Sequence, residues 1–311
     1  MCTSPLPARR HPSGHIEFLG RSSMGRAPFV FSKSGAPRSD LLQIPCGQCT
    51  ECRLKRSREW AIRCMHEASL HRDNCFLTLT ISDPSKAVSL NYDYFQGFMK
   101  RLRARFPRER IGFFCCGEYG ETNPSTGIKD GGKYRAHFHA ILFNFNFPDR
   151  VPCRLLDQSE LFKSALCDEL WRFGACRIGE VTFESAAYVA RYAMKKVTGD
   201  LAEAAYTLVL PDGEIISRTP EMLVMSKRPA IGRRWFEKFG KTAVYRDSVI
   251  ARGVETAMPR YYDKLLPRVV LSMLQRERSA EGGKRGLDHT DARDAVRDVV
   301  VKAKMGQFNR E

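Results

Sequence analysis

What this chain lacks narrows its class before any motif is read. Nowhere in its 311 residues is there a continuous apolar segment of bilayer-spanning length, which excludes a membrane-spanning helix. Residues 1–20 hold Arg9, Arg10, His11 and Pro12 where a secretory signal needs an apolar stretch, so the protein is expected inside the cell, with no membrane partner. No internal repeat is found. Acidic side chains are in deficit: 35 Asp and Glu face 51 Lys and Arg, a formal charge of +16. A surplus of that size favours a polyanionic partner, of which nucleic acid is the commonest.

Cysteine is plentiful by contrast, with 11 residues, an odd number, scattered along the chain. Cys115 and Cys116 fall in an apolar run, and Cys75 and Cys176 in strand-like segments. Intracellular thiols in such places act as small buried hydrophobes, and no disulfide framework is expected. Hydrophobic content of 43% and charged content of 28% suit a soluble globular protein, with core enough for one large domain or two small ones.

Residues 1–40, rich in Pro, Gly, Ser and Arg, read as a flexible basic arm. Residues 41–72 join a cysteine-rich turn to a helix-like run over 53–71. Beyond them, 75–81 alternate as a strand does, 91–106 place apolar side chains on one side of a helix, and 111–116 and 134–145 read as buried strands. Residues 155–171 are helical by pattern, 177–183 strand-like and 185–197 helical again. That order, β-α-β-β-α-β and a further helix, predicts an α+β fold: an antiparallel sheet of ferredoxin/RRM-like topology with helices on one face. The core domain is expected over 73–200, an accessory basic region with a hairpin over 201–275, and a charged tail over 276–311.

In the run HFHAILF, His137, His139, Ile141 and Phe143 share one face of a strand, and Phe138, Ala140 and Leu142 the other. Apolar residues on both faces make this a central strand, where polar histidines require hydrogen-bond partners, a metal or solvent. Two hydrogen-bonded histidines at a strand end fit the same pattern, so the pair alone is a weak signal. A catalytic cation also needs a third ligand and open positions, and carboxylate oxygen is the usual complement when Mg²⁺ or Mn²⁺ does phosphate chemistry. Glu118, ending the preceding apolar strand, lies beside both histidines if the two strands pair antiparallel; Glu121 and Glu180 are its competitors.

On the helix that follows, Tyr188 and Tyr192 stand about 40° apart and Lys195 on the same side. Ala186, Val189, Ala190, Ala193 and Val197 form a separate small apolar stripe, the face that should pack on the sheet. The tyrosines are therefore not placed as core aromatics, though an ordinary surface pair fits too. Beside a cation they suit a transesterification. A phenol with a pKa of about 10 needs help to attack at neutral pH. A cation on His137 and His139 would polarise the scissile phosphate, and Lys195 or Lys196 would lower the phenol's pKa or steady the phosphorus. The cleaved bond's energy is kept in the phosphotyrosine, and a second tyrosine serves for the next cut.

With HFHAIL, FESAAYVARYAMKK and FLTLT at 76–80, the chain resembles HUH-superfamily replication initiators, Phe138 being the hydrophobic residue between the histidines and Tyr188 and Tyr192 the two-tyrosine motif. PCGQCTECRLKRSREWAIR (45–63), CGEYGE (116–121), MSKRPAIG (225–232) and PRYYDKLL (259–266) make it similar to the initiation proteins of microvirus-group single-stranded DNA phages, gokushoviruses in particular. The resemblance spans most of residues 41–266. It implies a nicking and joining endonuclease that starts rolling-circle replication in the host bacterial cytoplasm, with single-stranded origin DNA and host polymerase and helicase as partners. A relaxase or transposase of the same chemistry is the first alternative, and a non-catalytic zinc-containing DNA-binding regulator the second.

Cys46, Cys49 and Cys52 have spacing compatible with a structural Zn²⁺, but a closed site wants four ligands. Cys64 and His66 are the further candidates, and lie too far along the helix to join easily. Basic residues come in patches: ten against four acidic over 1–60, six against one over 100–110, and six against one over 226–241. Arg228, Arg233 and Arg234 beside Trp235 suggest a groove for single-stranded DNA, cations tracking phosphates and a ring stacking on bases.

Overall fold

The computed structural model describes residues 2, 5–19, 41–120, 134–154, 160–192, 196–197, 202–210 and 213–284, with scattered positions from 293 to 303. In chain order, β1 (Leu6–Arg10), β2 (Ile16–Phe18) and β3 (Leu41–Ile44) lead to α1 (Thr50–Ala68). Next come β4 (Asn74–Thr80), α2 (Pro84–Ala87), α3 (Tyr92–Arg105), β5 (Gly112–Tyr119) and β6 (Ala136–Phe143). They are followed by β7 (Val151–Arg154), β8 (Glu160–Lys163), α4 (Ala165–Trp171), β9 (Cys176–Gly179) and α5 (Phe183–Tyr192). The remainder comprises α6 (Ala202–Tyr206), β10 (Thr207–Val209), β11 (Ile215–Ser217), β12 (Met222–Met225), α7 (Arg233–Arg246), β13 (Ser248–Ala251), β14 (Val254–Ala257), α8 (Arg260–Asp263) and α9 (Arg268–Lys284).

These elements fall into two compact units, Met1–Arg56 with Pro267–Glu311, and Ser57–Leu266. In the first, β2-β1-β3 form a small antiparallel sheet. Two of its strands come from the stretch expected to be a flexible arm, while residues 20–40 lie outside the described residues.

The second unit is built on a sheet of order β12-β5-β6-β4-β9-β8-β7, antiparallel at every pairing. Its centre is the expected β-α-β-β-α-β unit, β4-α3-β5-β6-α4-β9, with β12 and the β7–β8 pair added at the two edges. Alternation assigns the faces. Cys75, Leu77 and Leu79 of β4, and Phe138, Ala140 and Leu142 of β6, pack with Phe95, Phe98, Leu102 and Trp171 of α3 and α4. Gly117 belongs to this face because a Cβ there would meet Leu90 at 2.9 Å and Phe138 at 3.1 Å. The Trp171 indole N–H donates to the Thr80 carbonyl at 2.6 Å and pins the end of β4.

The core unit's own helices thus lie on one face, as expected. The opposite face is partly covered too: Ile141, Phe143, Phe114 and Cys116 pack against Ala61 and Cys64 of α1 and Ala186, Val189 and Ala190 of α5. This is the histidine face.

The helix expected over 155–171 is a correction. Residues 155–159 lie outside the described residues, Glu160–Lys163 form a strand, and the helix begins only at Ala165. Ser164 sets the break: its hydroxyl accepts from the Cys167 N–H at 2.9 Å and donates to Asp149 at 2.6 Å, an N-cap held in place by a neighbouring loop. A four-residue strand carries too few alternations to outweigh a helical reading of the same window. Likewise α5 starts at Phe183, two residues earlier than expected, because Thr182 and Ser185 cap it reciprocally at 2.9 and 3.1 Å.

Candidate active site

The β5–β6 register places Glu118 opposite His137 and Cys116 opposite His139. One Glu118 oxygen lies 2.8 Å from His137 Nε2 and 3.0 Å from His139 Nε2. Neighbouring ligands around an octahedral ion with bonds of ~2.1 Å stand ~3 Å apart, so these three atoms already have the spacing a divalent cation demands. The other ring nitrogens are engaged in the way metal ligands require. His137 Nδ1 donates to the Arg135 carbonyl at 3.1 Å, leaving its Nε2 lone pair for an ion. His139 Nδ1 faces the Thr78 hydroxyl at 3.1 Å, from the opposite neighbouring strand.

Burial raises the Glu118 carboxyl, but hydrogen bonds and charge from His137 and His139 outweigh it and hold the group below its ordinary value. The carboxylate is 2% exposed and His139 5%, so the cluster sits in protein rather than in bulk water. Mixed imidazole and carboxylate donors on one side, with the fourth and later positions supplied by none of the three, fit an ion that must also hold a substrate phosphate.

Tyr188 belongs to this constellation. Its ring meets His139 edge-on, with centroids 5.0 Å apart, and Phe76 stacks on His139 at 5.7 Å while touching Tyr188 edge-on at 6.5 Å. Ala186, Val189 and Ala190 hold the helix on the sheet while Tyr188 remains 36% exposed. The Tyr192 side chain and Lys195 lie outside the described residues, as does Glu121; Lys196 is exposed. Glu180 is turned away, paired with Arg150 at 3.5 Å.

Two residues on this face were missed in the sequence. Thr78 supports His139 directly. Arg177, opposite Thr78 in the β4–β9 register, brings a cation onto the same face two strands from His139, roughly 10 Å at ordinary strand spacing. The alternation of Cys176, Arg177 and Ile178, buried and half-buried in turn, carried that signal.

The proposed DNA groove is only partly as expected. Arg228 and Arg234 line one cleft of about 360 Å³ with Arg103 and Arg110. Arg233 instead pairs with Glu237 at 2.8 Å. Trp235 stacks on His66 at 3.4 Å, so one of its ring faces is taken by protein rather than offered to a base.

That stack belongs to a buried clamp that gives MSKRPAIG and PRYYDKLL their structural meaning. The Arg63 guanidinium lies between the rings of Trp60 and Tyr261, 3.9 and 3.8 Å away, and donates twice to the Ile231 carbonyl. Glu67 accepts from Gly232 N–H at 2.7 Å, and His66 Nδ1 meets the Tyr262 hydroxyl at 2.8 Å. His66 and Cys64, both considered as zinc ligands, are thereby committed to the interior: His66 is 8% exposed and Cys64 fully buried.

Burial pushes His66 down to about 4. The unfolded chain binds a proton near pH 6.5 that the folded chain refuses until near pH 4, so this residue's contribution to stability is complete above that window and is lost as pH falls through it. Between pH 6.5 and 5 the loss is roughly 2 kcal/mol. Urea melts at pH 7 and pH 5 should differ by that amount, and His66→Gln should shrink the difference; an unchanged difference contradicts the assignment.

The family of phage replication-associated proteins that includes the ORF2 type matches residues 74–197. Replication-associated protein VP4 of Bdellovibrio phage phiMH2K is 32% identical over 273 residues, 84% of this chain and 75% of that protein. Replication-associated protein ORF2 of Spiroplasma virus 4 is 29% identical over 86% of this chain and 80% of its own length. Replication-associated protein ORF4 of Chlamydia phage 1 is 29% identical over 73% of this chain, which spans 54% of that longer relative. No solved structure matches. No helix of the described residues is long and apolar enough to cross a membrane.

Proposed function

This chain belongs to the family of microvirus-like phage replication-associated proteins, and we propose that it initiates rolling-circle replication by nicking single-stranded DNA at an origin and rejoining it through tyrosine. The observation that carries this reading is the meeting of the Tyr188 ring with His139, whose Nε2 shares one Glu118 oxygen with His137. Three ligands and a phenol on one face of a sheet have no structural need of one another.

Glu118, His137 and His139 would hold Mg²⁺ or Mn²⁺, which would supply charge to a bound phosphodiester and to its departing oxygen. Tyr188 Oη attacks phosphorus; the bond to the 3′ oxygen breaks, that oxygen takes up a proton, and the 5′ phosphate stays on the tyrosine. Lys195 or Lys196 assists by favouring the phenolate, and Arg177 contacts a neighbouring phosphate. Attack by a 3′ hydroxyl on the phosphotyrosine reverses the step and joins strands. Tyr192, one helical turn on, serves the second cut while Tyr188 still carries a 5′ end. The released 3′ hydroxyl primes the host polymerase, with a host helicase opening the duplex in the host cytoplasm.

Incubation with single-stranded origin DNA and Mn²⁺, followed by denaturing electrophoresis, tests this. A DNA–protein adduct that survives denaturation and needs the ion is the expected result. Binding without an adduct would make the protein a non-catalytic DNA-binding regulator.

The cleft of Arg103, Arg110, Arg228 and Arg234 is the proposed track for the strand. Each phosphate contact contributes about −0.7 to the slope of log affinity against log salt for single strands. Arg228→Ala with Arg234→Ala should flatten that slope by about 1.4. An unaltered slope removes the cleft from the DNA path.

A further inference from the structure

We propose that Cys2, Cys46, Cys49 and Cys52 form a closed tetrathiolate zinc site that fastens the first residues of the chain to the start of α1. The sequence motif offers three of these thiols; the fourth comes from 44 positions away. All four sulfurs lie within 4.8 Å of one another, Cys2 at 3.5 Å from Cys46 and 3.7 Å from Cys49. A tetrahedral zinc with bonds of ~2.3 Å sets its sulfurs ~3.8 Å apart. A disulfide would draw two of them to ~2.0 Å, and none of the four is in a disulfide. An iron–sulfur cubane would hold them farther apart, because its own iron and sulfide ions stand between the cysteines.

The backbone leads to the same arrangement independently. β1 pairs antiparallel with β3, Leu6 opposite Ile44 and Ala8 opposite Leu42; continued by four residues, that register brings Cys2 level with Gln48, inside the Cys46–Cys49 turn. Gly47, at φ +73°, lets the turn fold back so that the N–H groups of Gln48 and Cys49 donate to Cys46 Sγ at 3.4 and 3.2 Å. The Cys46 N–H donates to Cys2 Sγ at 3.3 Å. Bonds of this kind stabilise thiolate rather than thiol.

The charge around the cluster suits a four-thiolate centre, which keeps a net −2. Arg56 reaches to within 3.4 Å of the space above Gly47, and Arg53 is held beside the turn by Gln48. The need for such a staple is visible as well. Among the described residues of this unit, Ala8 and Leu274 are the only buried hydrophobic side chains, too small a core to hold a three-stranded sheet unaided. With four thiolates and no open position, the metal is structural.

The test uses the full chain, purified without chelator. Metal analysis should find one zinc per chain. Alkylation mapped by mass spectrometry should leave Cys2, Cys46, Cys49 and Cys52 protected while half-exposed Cys153 reacts; after chelation all five should react. Cys2→Ser should lower zinc affinity by more than about 100-fold, since a direct ligand matters more than its outer-shell supports. Zinc-free protein, iron with inorganic sulfide, or equal alkylation of the five thiols before chelation would overturn the proposal. Full zinc retention by Cys2→Ser would overturn the role of Cys2, and the wild-type alkylation pattern decides the matter even if that variant fails to fold.

Discussion

Tyr188→Phe is expected to lower the rate of covalent adduct formation by at least about 10⁴-fold, the scale on which removing an enzyme's nucleophile acts. The substitution deletes one oxygen from a ring that is 36% exposed, so packing against Phe76 and His139 survives and folding should be unchanged. That separation of chemistry from stability is what makes the experiment decisive. Tyr192→Phe should behave differently: first-cut adduct persists, while repeated cutting and joining on the same molecule fails. If Tyr188→Phe forms adduct normally and Tyr192→Phe does not, the roles are exchanged. If the double variant still forms adduct, the nucleophile lies elsewhere.

Glu118→Ala should have the second largest effect, about 10²–10³-fold on nicking, comparable to removing one preorganised charge-stabilising group. Its effect on folding should be the reverse of what a structural ion pair shows. A buried carboxylate beside two imidazoles carries a desolvation penalty, and its removal without metal should cost little stability or none. The wild-type protein should gain about 2.7 kcal/mol when Mn²⁺ is present at a hundred times its dissociation constant, and Glu118→Ala should gain almost nothing. Thermal unfolding with and without Mn²⁺ reads this directly. A variant that loses several kcal/mol in metal-free buffer, while the wild type ignores Mn²⁺, would mean that the three groups serve the fold alone.

Much of this site was legible because β-strands have a period of two. Once His137 and His139 were set on one face and the preceding apolar run was paired antiparallel, Glu118 had to fall beside them. The small-residue stripe of α5 was equally readable, since Ala186, Val189 and Ala190 can lie only against the sheet if Tyr188 is to stay out of it. What failed depended on long-range partners. Cys2 gave no signal because its neighbours in space are 44 positions away. Trp235 looked like a base-stacking ring because nothing local reveals that His66, across the core, already covers one face. The β7–β8 pair was hidden inside a helical spacing because four-residue strands owe their existence to a neighbour, here the Phe162–Ile178 pairing onto β9.

The most direct measurement is the identity of the side chain that carries DNA. After reaction of the wild-type protein with single-stranded origin DNA and Mn²⁺, nuclease and protease digestion followed by mass spectrometry should find a nucleotide phosphate on Tyr188, and none when Glu118 is Ala. A nucleotide on a residue remote from His137 and His139, or no covalent nucleotide despite nicked DNA, would contradict the account.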